Sequence, residues 1–285
     1  MILGIPKPVS VSFAANGIGR SKRDYLGLPL KREELLEAAK AAQNAGASLF
    51  SFSVRDEKGL YCADPDICSE VVMALRDELD GAMVLQLELD ASSGASPAQF
   101  GALLSKAQPD ACQIPLNQIL PRDGDEADEE AARDLFDLCD QLKIGVQIAI
   151  NQATDIDWFY AFRQYGIIPE TCQSLLFILG SDGEDPSSEP HRLRGFLAGM
   201  EKQNLLGKIA WSVAAFGPQE TAALTAAMAL GGHIAPGSAY NIHTVEGEPF
   251  LSPQDQLTAL GDLAGRLGRP TASAFETRTL LFGAR

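Results

Sequence analysis

The sequence predicts a (β/α)8 barrel (TIM barrel), in which eight parallel strands alternate with helices and close into a cylinder. Two observations predict it: eight short strand-like segments alternate with eight segments of helical periodicity, and no break in composition divides the chain. A length of 285 residues is within the range of such barrels. We therefore expect residues 1–285 to form a single barrel with a C-terminal helical extension.

The strand candidates are short apolar runs bounded by turn residues. They lie at 9–16, 48–54, 83–89, 111–117, 144–150, 174–180, 208–216 and 233–238. The second one alternates strictly, with Ser51 and Ser53 between Phe50, Phe52 and Val54. Successive strand side chains point to opposite faces, so each of the first five strands presents one polar face. If these strands share a sheet, their polar faces converge on a single site.

The helix candidates are amphipathic and follow the strands. They lie at 31–45, 64–79, 97–106, 126–142, 155–165, 190–203, 219–230 and 253–267, and a last one lies at 274–282. Asp64-Pro65 and Ser96-Pro97 are typical helix starts, because proline is tolerated in the first turn. The low-complexity stretch at 181–188 is predicted as a loop between a strand and its helix.

An open, doubly wound sheet is the alternative fold. That fold places a glycine-rich turn directly after its first strand, where it holds the phosphates of a dinucleotide. Here only Gly17 and Gly19 follow the first strand, and the next helix begins about a dozen residues later. The spacing therefore favours the barrel.

Composition and charge bear on the partners and the compartment. The formal net charge is −15 and the isoelectric point is about 4.6, whereas proteins that bind nucleic acid carry a basic stripe. No apolar run reaches the roughly 20 residues that a helix needs to cross a bilayer, and no signal-peptide pattern is present. The five cysteines form no C-x-x-C pair, which fits reduced thiols. We expect a cytoplasmic protein with no nucleic-acid or membrane partner.

Active sites of such barrels lie at the C-terminal ends of the strands. Arg55 comes from the strand next to that of Glu88 and Asp90, so a charge pair is expected across the second and third strands. A structural network and a ligand contact are both open roles for this pair. The residues that fall at or near strand ends are Asn16, Arg55, Asp56, Glu88, Asp90, Asn117 and Asn151.

The histidines, the serines and the cations of the first loop give weaker evidence for a particular chemistry. His191, His233 and His243 form no His-x-His or His-x-x-x-His pair, and zinc sites prefer such pairs with carboxylate or thiolate partners. No Gly-x-Ser-x-Gly nucleophile elbow is present. The cations of the long loop after the first strand, which could form a lid, are interpreted as solvated charges: Arg20, Lys22 and Arg23.

Three segments resemble the motifs of a known family. Residues 45–59, AGASLFSFSVRDEKG, are similar to the second-strand motif of the β-keto acid cleavage enzymes, typified by the 3-keto-5-aminohexanoate cleavage enzyme. Residues 230–241 resemble the eighth-strand motif, and residues 267–278 resemble the C-terminal signature. The resemblance extends over nearly the whole chain. It implies a (β/α)8 barrel, a homo-oligomer and a role similar to that of enzymes of amino acid catabolism.

The resemblance also implies a zinc-dependent reaction. A β-keto acid condenses with acetyl-CoA, and the adduct splits to acetoacetate and a new CoA ester, while zinc polarises the keto oxygen. The family's zinc ligands match Ser51, Ser53 and Ala239 here, and an arginine and an aspartate of its eighth-strand motif match Ala235 and Tyr240. Serine hydroxyls are weak zinc ligands and alanine offers none. We therefore expect a lost zinc site, with no metal ligands and no cofactor.

Three hypotheses follow. The first is a divergent, metal-independent enzyme that acts on a small carboxylate or keto acid, with acetyl-CoA as a cosubstrate by resemblance. Its catalytic residues are expected to be Glu88, Asp90 and Tyr240, with one of the two acids as the base. The second is a non-catalytic binding protein, and the third is the family reaction with a metal relocated to His243 and Glu88 or Asp90. The expected substrate contacts are Asn16, Ser51, Ser53, Arg55, Asn117, Asn151 and Asn241.

Overall fold

The computed structural model describes residues 7–181 and 188–283 and contains an eight-stranded parallel sheet. The strands are β1 (Ser12–Ala14), β2 (Leu49–Phe52), β3 (Val84–Glu88), β4 (Ala111–Pro115), β5 (Gly145–Ile150), β6 (Ser174–Leu179), β7 (Ala210–Ala215) and β8 (His233–Ile234). Their order in the sheet is their order in the chain, and each neighbouring pair is parallel. The predicted (β/α)8 barrel is confirmed. Most of the predicted loop at 181–188 lies outside the described residues.

The two edges of the sheet meet between β8 and β1. Val11 forms a parallel bridge with Ile234, whose N–H donates to Ser10 O at 3.1 Å. Further along, Ala14 N donates to Pro236 O at 2.8 Å. These bonds extend the contact beyond the short strands β1 and β8 and join the last unit of the barrel to the first.

The helices follow the strands as predicted, with one addition. They are α1 (Arg32–Asn44), α2 (Pro65–Leu79), α3 (Pro97–Ala107), α4 (Leu116–Ile119), α5 (Glu126–Gln141), α6 (Asp155–Gln164), α7 (Leu193–Lys202), α8 (Glu220–Ala229), α9 (Pro253–Arg266) and α10 (Ala274–Phe282). The unpredicted α4 is a single turn after β4. The strand ends at Pro115 because proline has no N–H to continue the ladder. Among the described residues, no helix is long and apolar enough to cross a membrane.

The lower end of the barrel is closed by the C-terminal helix. Leu281 and Phe282 of α10 pack inside against Leu49, Val84 and Ala111, which come from three adjacent strands. This apolar plug fills the N-terminal end of the lumen. Only the opposite end is left for a site, as in other barrels of this architecture.

A ladder of buried amides and hydroxyls forms the floor of the mouth. Gln86 Nε2 donates to Gln147 Oε1 at 3.2 Å, and Gln147 Nε2 donates to Ser174 Oγ at 3.0 Å. The ladder links β3, β5 and β6 across the lumen. Because each amide meets a partner, these polar groups are buried at little cost.

Above this floor the two sides of the lumen differ in polarity. One side is apolar and small, formed by Ala14, Ala149, Leu176, Ala214 and Ala235. The other side is formed by β2, β3 and β4 and carries the buried polar side chains predicted from the alternation. The candidate site therefore lies on the β2–β4 side, with an apolar wall opposite.

Candidate active site

Glu88, the last residue of β3, is the buried acid of the mouth. Its Oε1 accepts a hydrogen bond from Ser51 Oγ at 2.9 Å, across the β2–β3 pair, and only 2% of Glu88 is exposed. Burial raises the pKa of Glu88 to about 7, from an ordinary value of 4.5. The hydrogen bond from Ser51 and the charge of Arg55 oppose this rise, while Asp90 adds to it. A carboxyl with this pKa gains and loses its proton near neutral pH.

The guanidinium of Arg55 places a positive charge in the same region. Its Nε donates to Ser53 Oγ at 3.1 Å, and its two terminal nitrogens donate to Gly59 O and Gly17 O. A guanidinium has five N–H groups, so these bonds leave two for a ligand. The charges of Glu88 and Asp90 attract the guanidinium. Its hydrogen bonds go to other groups, so the predicted charge pair is not a direct salt bridge.

Tyr240 reaches the mouth from the loop after β8. It is buried and packs edge-on against Phe216, with ring centroids 5.3 Å apart. Burial raises the pKa of its phenol, and the negative charge of Glu88 raises it further, against the effect of a hydrogen bond with Gln113. The phenol therefore stays protonated and offers an O–H donor beside Glu88.

Asp90, the second candidate base, has a local structural role. It caps the 3₁₀ turn Ala91–Ser93: its Oδ1 accepts from Ser92 N at 3.1 Å and its Oδ2 from Ser92 Oγ at 2.7 Å. The hydroxyl of Tyr61 accepts from Asp90 N at 3.3 Å and donates to Glu88 O at 3.4 Å. Of the two acids, Glu88 has the carboxylate that is less occupied by the chain's own donors.

Two of the predicted asparagines are buried and form hydrogen bonds with other segments of the protein. Asn16 Nδ2 donates to Pro29 O and Ser53 O, both at 2.9 Å, and its Oδ1 accepts from Ser53 N at 2.9 Å. Asn241 Nδ2 donates to Glu220 Oε2 at 2.9 Å. Both amides tie loops of the mouth together, and a contact of either with substrate stays a prediction.

The remaining predicted residues divide between the rim and the centre. Asn117 lies on α4 and Asn151 directly follows β5, and both are exposed. Their contact with substrate also stays a prediction. The residues that the structure brings together around the polar side of the mouth are Ser51, Ser53, Arg55, Glu88 and Tyr240.

A second buried carboxyl, Glu220, is absent from the sequence prediction. It begins α8 and is 1% exposed, and its Oε2 accepts from Asn241 Nδ2 at 2.9 Å and Gln256 Nε2 at 2.5 Å. Burial raises the pKa of Glu220 to about 8. Acidic residues in the first turn of a helix are typical of solvent-exposed positions that complement the helix dipole. The sequence pattern therefore gave no sign of this burial.

Arg20 holds the loop that carries Tyr240. Its two terminal nitrogens donate to Ser238 O at 3.0 Å and Tyr240 O at 2.8 Å, and its guanidinium lies over the ring of Phe216, 5.8 Å from the centroid. The interpretation of Arg20 as a solvated charge is therefore wrong. The sequence could not show this, because the acceptors are backbone carbonyls more than 200 residues away.

The comparison with known families decides the relationship of this chain. The model of the family described as beta-keto acid cleavage enzyme matches residues 8–282. The chain belongs to this family. A curated relative, the 3-oxoadipate:acetyl-CoA acetyltransferase of Cupriavidus necator, is 24% identical over 285 residues, which cover 96% of this chain and 95% of the relative.

Solved structures with the same fold have low sequence identity to this chain. The ternary complex of ObcA with C4-CoA adduct and oxalate has a TM-score of 0.71 at 12% identity, over 90% of this chain and 67% of ObcA. The apo structure of ObcA has a TM-score of 0.67, and the chain spans 65% of its length. The 3-dehydroquinate dehydratase of Enterococcus faecalis has a TM-score of 0.54 at 14% identity, over 90% of this chain and 95% of the dehydratase. These likenesses support the fold alone.

The family's zinc ligands match Ser51, Ser53 and Ala239, and the structure allows a test of whether these residues fit a zinc ion. Ser51 Oγ donates to Glu88, Ser53 Oγ donates to Gly17 O at 2.6 Å, and Ala239 packs against Gly17 with only a methyl group. Two neutral hydroxyls that already serve as donors and one methyl do not fit a tetrahedral zinc site. In the described ranges, no three His, Cys, Asp or Glu residues are grouped so that they could hold a metal ion.

Proposed function

We propose that this member of the β-keto acid cleavage enzymes exchanges acyl groups between acetyl-CoA and a small β-keto acid without a zinc ion. The observation that carries the proposal is the buried Glu88, with a pKa of about 7, beside Ser51 and the guanidinium of Arg55. Family membership and the acetyl-CoA in the name of the curated relative support the reaction class. The unsuitable donors at the positions of the family's zinc ligands support a metal-free route.

Glu88 acts as the general base in this proposal. Its carboxylate takes a proton from the carbon between the keto and carboxylate groups, and the electron pair moves to the keto oxygen. That carbon attacks the thioester carbonyl of acetyl-CoA and displaces the CoA thiolate. The thiolate adds to the original keto carbon, and the bond between this carbon and the attacking carbon breaks. The products are a new CoA ester and acetoacetate, whose enolate takes the proton back from Glu88.

Arg55 and Tyr240 stabilise the negative charge that develops on oxygen. The two N–H groups of Arg55 not used by the protein and the O–H of Tyr240 are donors fixed in place before reaction, which is the arrangement that lowers the barrier most effectively. The apolar wall opposite, with Ala149, Leu176 and Ala214, keeps water from competing with these donors. In such a low-dielectric site each charge interaction is stronger than in water.

A turnover assay tests the proposal. The protein is mixed with acetyl-CoA and each of a set of short β-keto acids, including 3-oxoadipate, in the presence of a metal chelator, and acetoacetate is measured. We expect turnover that the chelator does not abolish, and a loss of about 10²–10⁴-fold in kcat for Glu88→Gln. Activity that is lost on chelation and restored by zinc would contradict the metal-free route. If the protein bound the keto acid but turned over no substrate, the hypothesis of a non-catalytic binding protein would replace the proposed enzyme.

A further inference from the structure

A cluster of buried polar side chains lies next to the loop that carries Tyr240. Glu220 at the start of α8, Gln256 of α9 and Asn241 at the end of the loop meet in it, and all three are buried. The chemistry proposed above uses none of them. Polar groups are costly to bury unless they find partners, so the contacts of this cluster indicate what it does.

Glu220 is the acceptor at the centre of the cluster. Its Oε2 accepts from the amides of both Asn241 and Gln256. The amide of Asn241 is oriented by its own chain, because its Oδ1 accepts from His243 N at 3.0 Å and its Nδ2 also donates to His243 O at 2.9 Å. The remaining N–H of this amide is therefore directed at Glu220.

The same carboxyl holds the loop from Gly237 to Asn241 at both ends. At the first end, the backbone N–H of Gly237 lowers the pKa of Glu220 as a hydrogen-bond donor. At the other end, the side chain of Asn241 donates to it at 2.9 Å. Inside the loop, Tyr240 N and Asn241 N both donate to Gly237 O, at 2.9 and 3.0 Å. A short, closed segment that includes Tyr240 is thus attached to the start of α8.

The carboxyl is uncharged at neutral pH. Burial raises the pKa of Glu220 to about 8, while the hydrogen bonds and the charge of Arg20, on the loop after β1, act against this rise. A glutamine has the shape of the neutral acid and an oxygen that can accept the same bonds. A leucine has a similar size and no acceptor, so the two substitutions separate the hydrogen bonds of the side chain from its volume.

We propose that Glu220 is a positioning residue: by holding the loop after β8 at both ends, it keeps the phenol of Tyr240 beside Glu88. Glu220 does not touch the substrate and acts through the loop alone. Loss of the acceptor takes a partner from two buried amides, and a shift of the loop that gives them other partners carries Tyr240 with it. The effect on turnover rests on the function proposed above, whereas the position of Tyr240 rests on the contacts of the loop.

Fluorine NMR of the protein labelled with 3-fluorotyrosine tests this position without any need for turnover. The chain has five tyrosines, and the signal that disappears in Tyr240→Phe belongs to Tyr240. Glu220→Leu removes the acceptor and Glu220→Gln keeps it. The control is Thr277→Val, which removes buried hydrogen bonds to Ser10 and Ser48 at the N-terminal ends of the strands, far from this loop.

We expect the Tyr240 signal to keep its shift in Glu220→Gln and in Thr277→Val, and to move or broaden in Glu220→Leu. An unchanged signal in Glu220→Leu, or the same change in Thr277→Val, would overturn the proposal. Asn241→Ala removes the same hydrogen bond from the loop side and takes the place of Glu220→Leu if that variant does not fold. An unchanged Tyr240 signal in Asn241→Ala would then count against the proposal.

The kinetics of an active protein test the same role. Glu220→Leu should lower kcat by about tenfold or more with little change in KM, because the Tyr240 donor acts on charge that develops in the transition state. The double variant Glu220→Leu, Tyr240→Phe should be no slower than Tyr240→Phe alone, since both changes remove one contribution. Losses that multiply would overturn the positioning role. A wild type without turnover would refute only the proposed function, because the fluorine signal still reports the position of Tyr240.

Discussion

Glu88 is held near its protonation midpoint by neighbours that act in opposite directions. Burial and the negative charge of Asp90 raise its pKa, whereas the hydrogen bond from Ser51 and the charge of Arg55 lower it. Burial prevails, and the resulting pKa of about 7 suits a group that must both take up and return a proton. A fully exposed carboxyl in the same place would be too weak a base.

The pH dependence of activity should follow the ionisation of Glu88. A base must be ionised to work, so kcat/KM is expected to rise with pH through about 7. Glu88→Gln should remove this rise together with most of the activity, because the amide cannot accept the proton. The measurement is kcat/KM for acetyl-CoA and the best keto acid of the panel, across neutral pH.

Asp90→Asn serves as the control for this prediction. The amide oxygen can still accept a hydrogen bond from Ser92, and the removal of one negative charge lowers the pKa of Glu88. The rise of kcat/KM should therefore persist and move to lower pH. If instead Asp90→Asn abolished the pH dependence and Glu88→Gln kept it, Asp90 would be the base.

The sequence predicts the central residues better than the amides around them. Strict alternation in β2 and β3 identified Ser51, Ser53, Arg55 and Glu88 as neighbours, because side-chain direction in a strand follows from position alone. Asn16, Asn151 and Asn241 lie outside the strands and helices, where position does not determine direction. Asn16 therefore turned inward to satisfy backbone groups, which no periodicity could indicate.

At the scale of elements, the loop after β8 depends on one glycine. Gly237 has a φ of +144°, and a Cβ at this position would lie 2.1 Å from Ala14 O. The close approach lets Ala239 N donate to Ala14 O at 3.1 Å and brings Tyr240 to the mouth. A side chain at this position does not fit unless β1 or this loop moves.

Gly237→Ala is expected to lower the free energy of unfolding by about 3 kcal/mol or more, because strain and a backbone clash add. Gly261→Ala in α9 is the matched control, since no heavy atom outside its own helix lies within 4 Å of its Cβ position. In a helix interior this change should add about 1 kcal/mol. Urea unfolding of both variants gives the comparison, and a Gly237→Ala protein as stable as the wild type would refute the close approach.

Element positions were predictable where periodicity and start signals agreed. The proline signals before α2 and α3 correspond to real helix starts, because the physical reason is local. The turn α4 was missed because Leu116 continues the apolar alternation of β4.

At the scale of the whole molecule, buried Glu220 links stability to pH. Its pKa rises from 4.5 in the unfolded chain to about 8 in the folded protein, so between these values the folded state binds more protons. The free energy of unfolding should therefore fall as pH rises through this range. Glu88 acts in the same direction, with a folded pKa of about 7.

Glu220→Gln should remove the larger part of this fall in the free energy of unfolding, because an amide does not titrate. The amide oxygen can still accept the hydrogen bonds from Asn241 and Gln256, so the local structure should be kept. The variant is expected to gain stability relative to the wild type as pH rises from about 5 to about 9. Urea unfolding at a series of pH values measures the difference. A constant difference across this range would show that Glu220 is ionised in the folded protein.

The homo-oligomer, the cytoplasmic location and the role in catabolism stay predictions, because no feature of the barrel described above tests them. The central claim of the account concerns the mouth: the residues at Ser51, Ser53 and Ala239 hold no zinc, and Glu88 with Arg55 takes over the chemistry. Elemental analysis of the active protein, purified without chelators, tests it most directly. The account predicts far less than one zinc per chain, whereas about one zinc per chain in the active protein would contradict it.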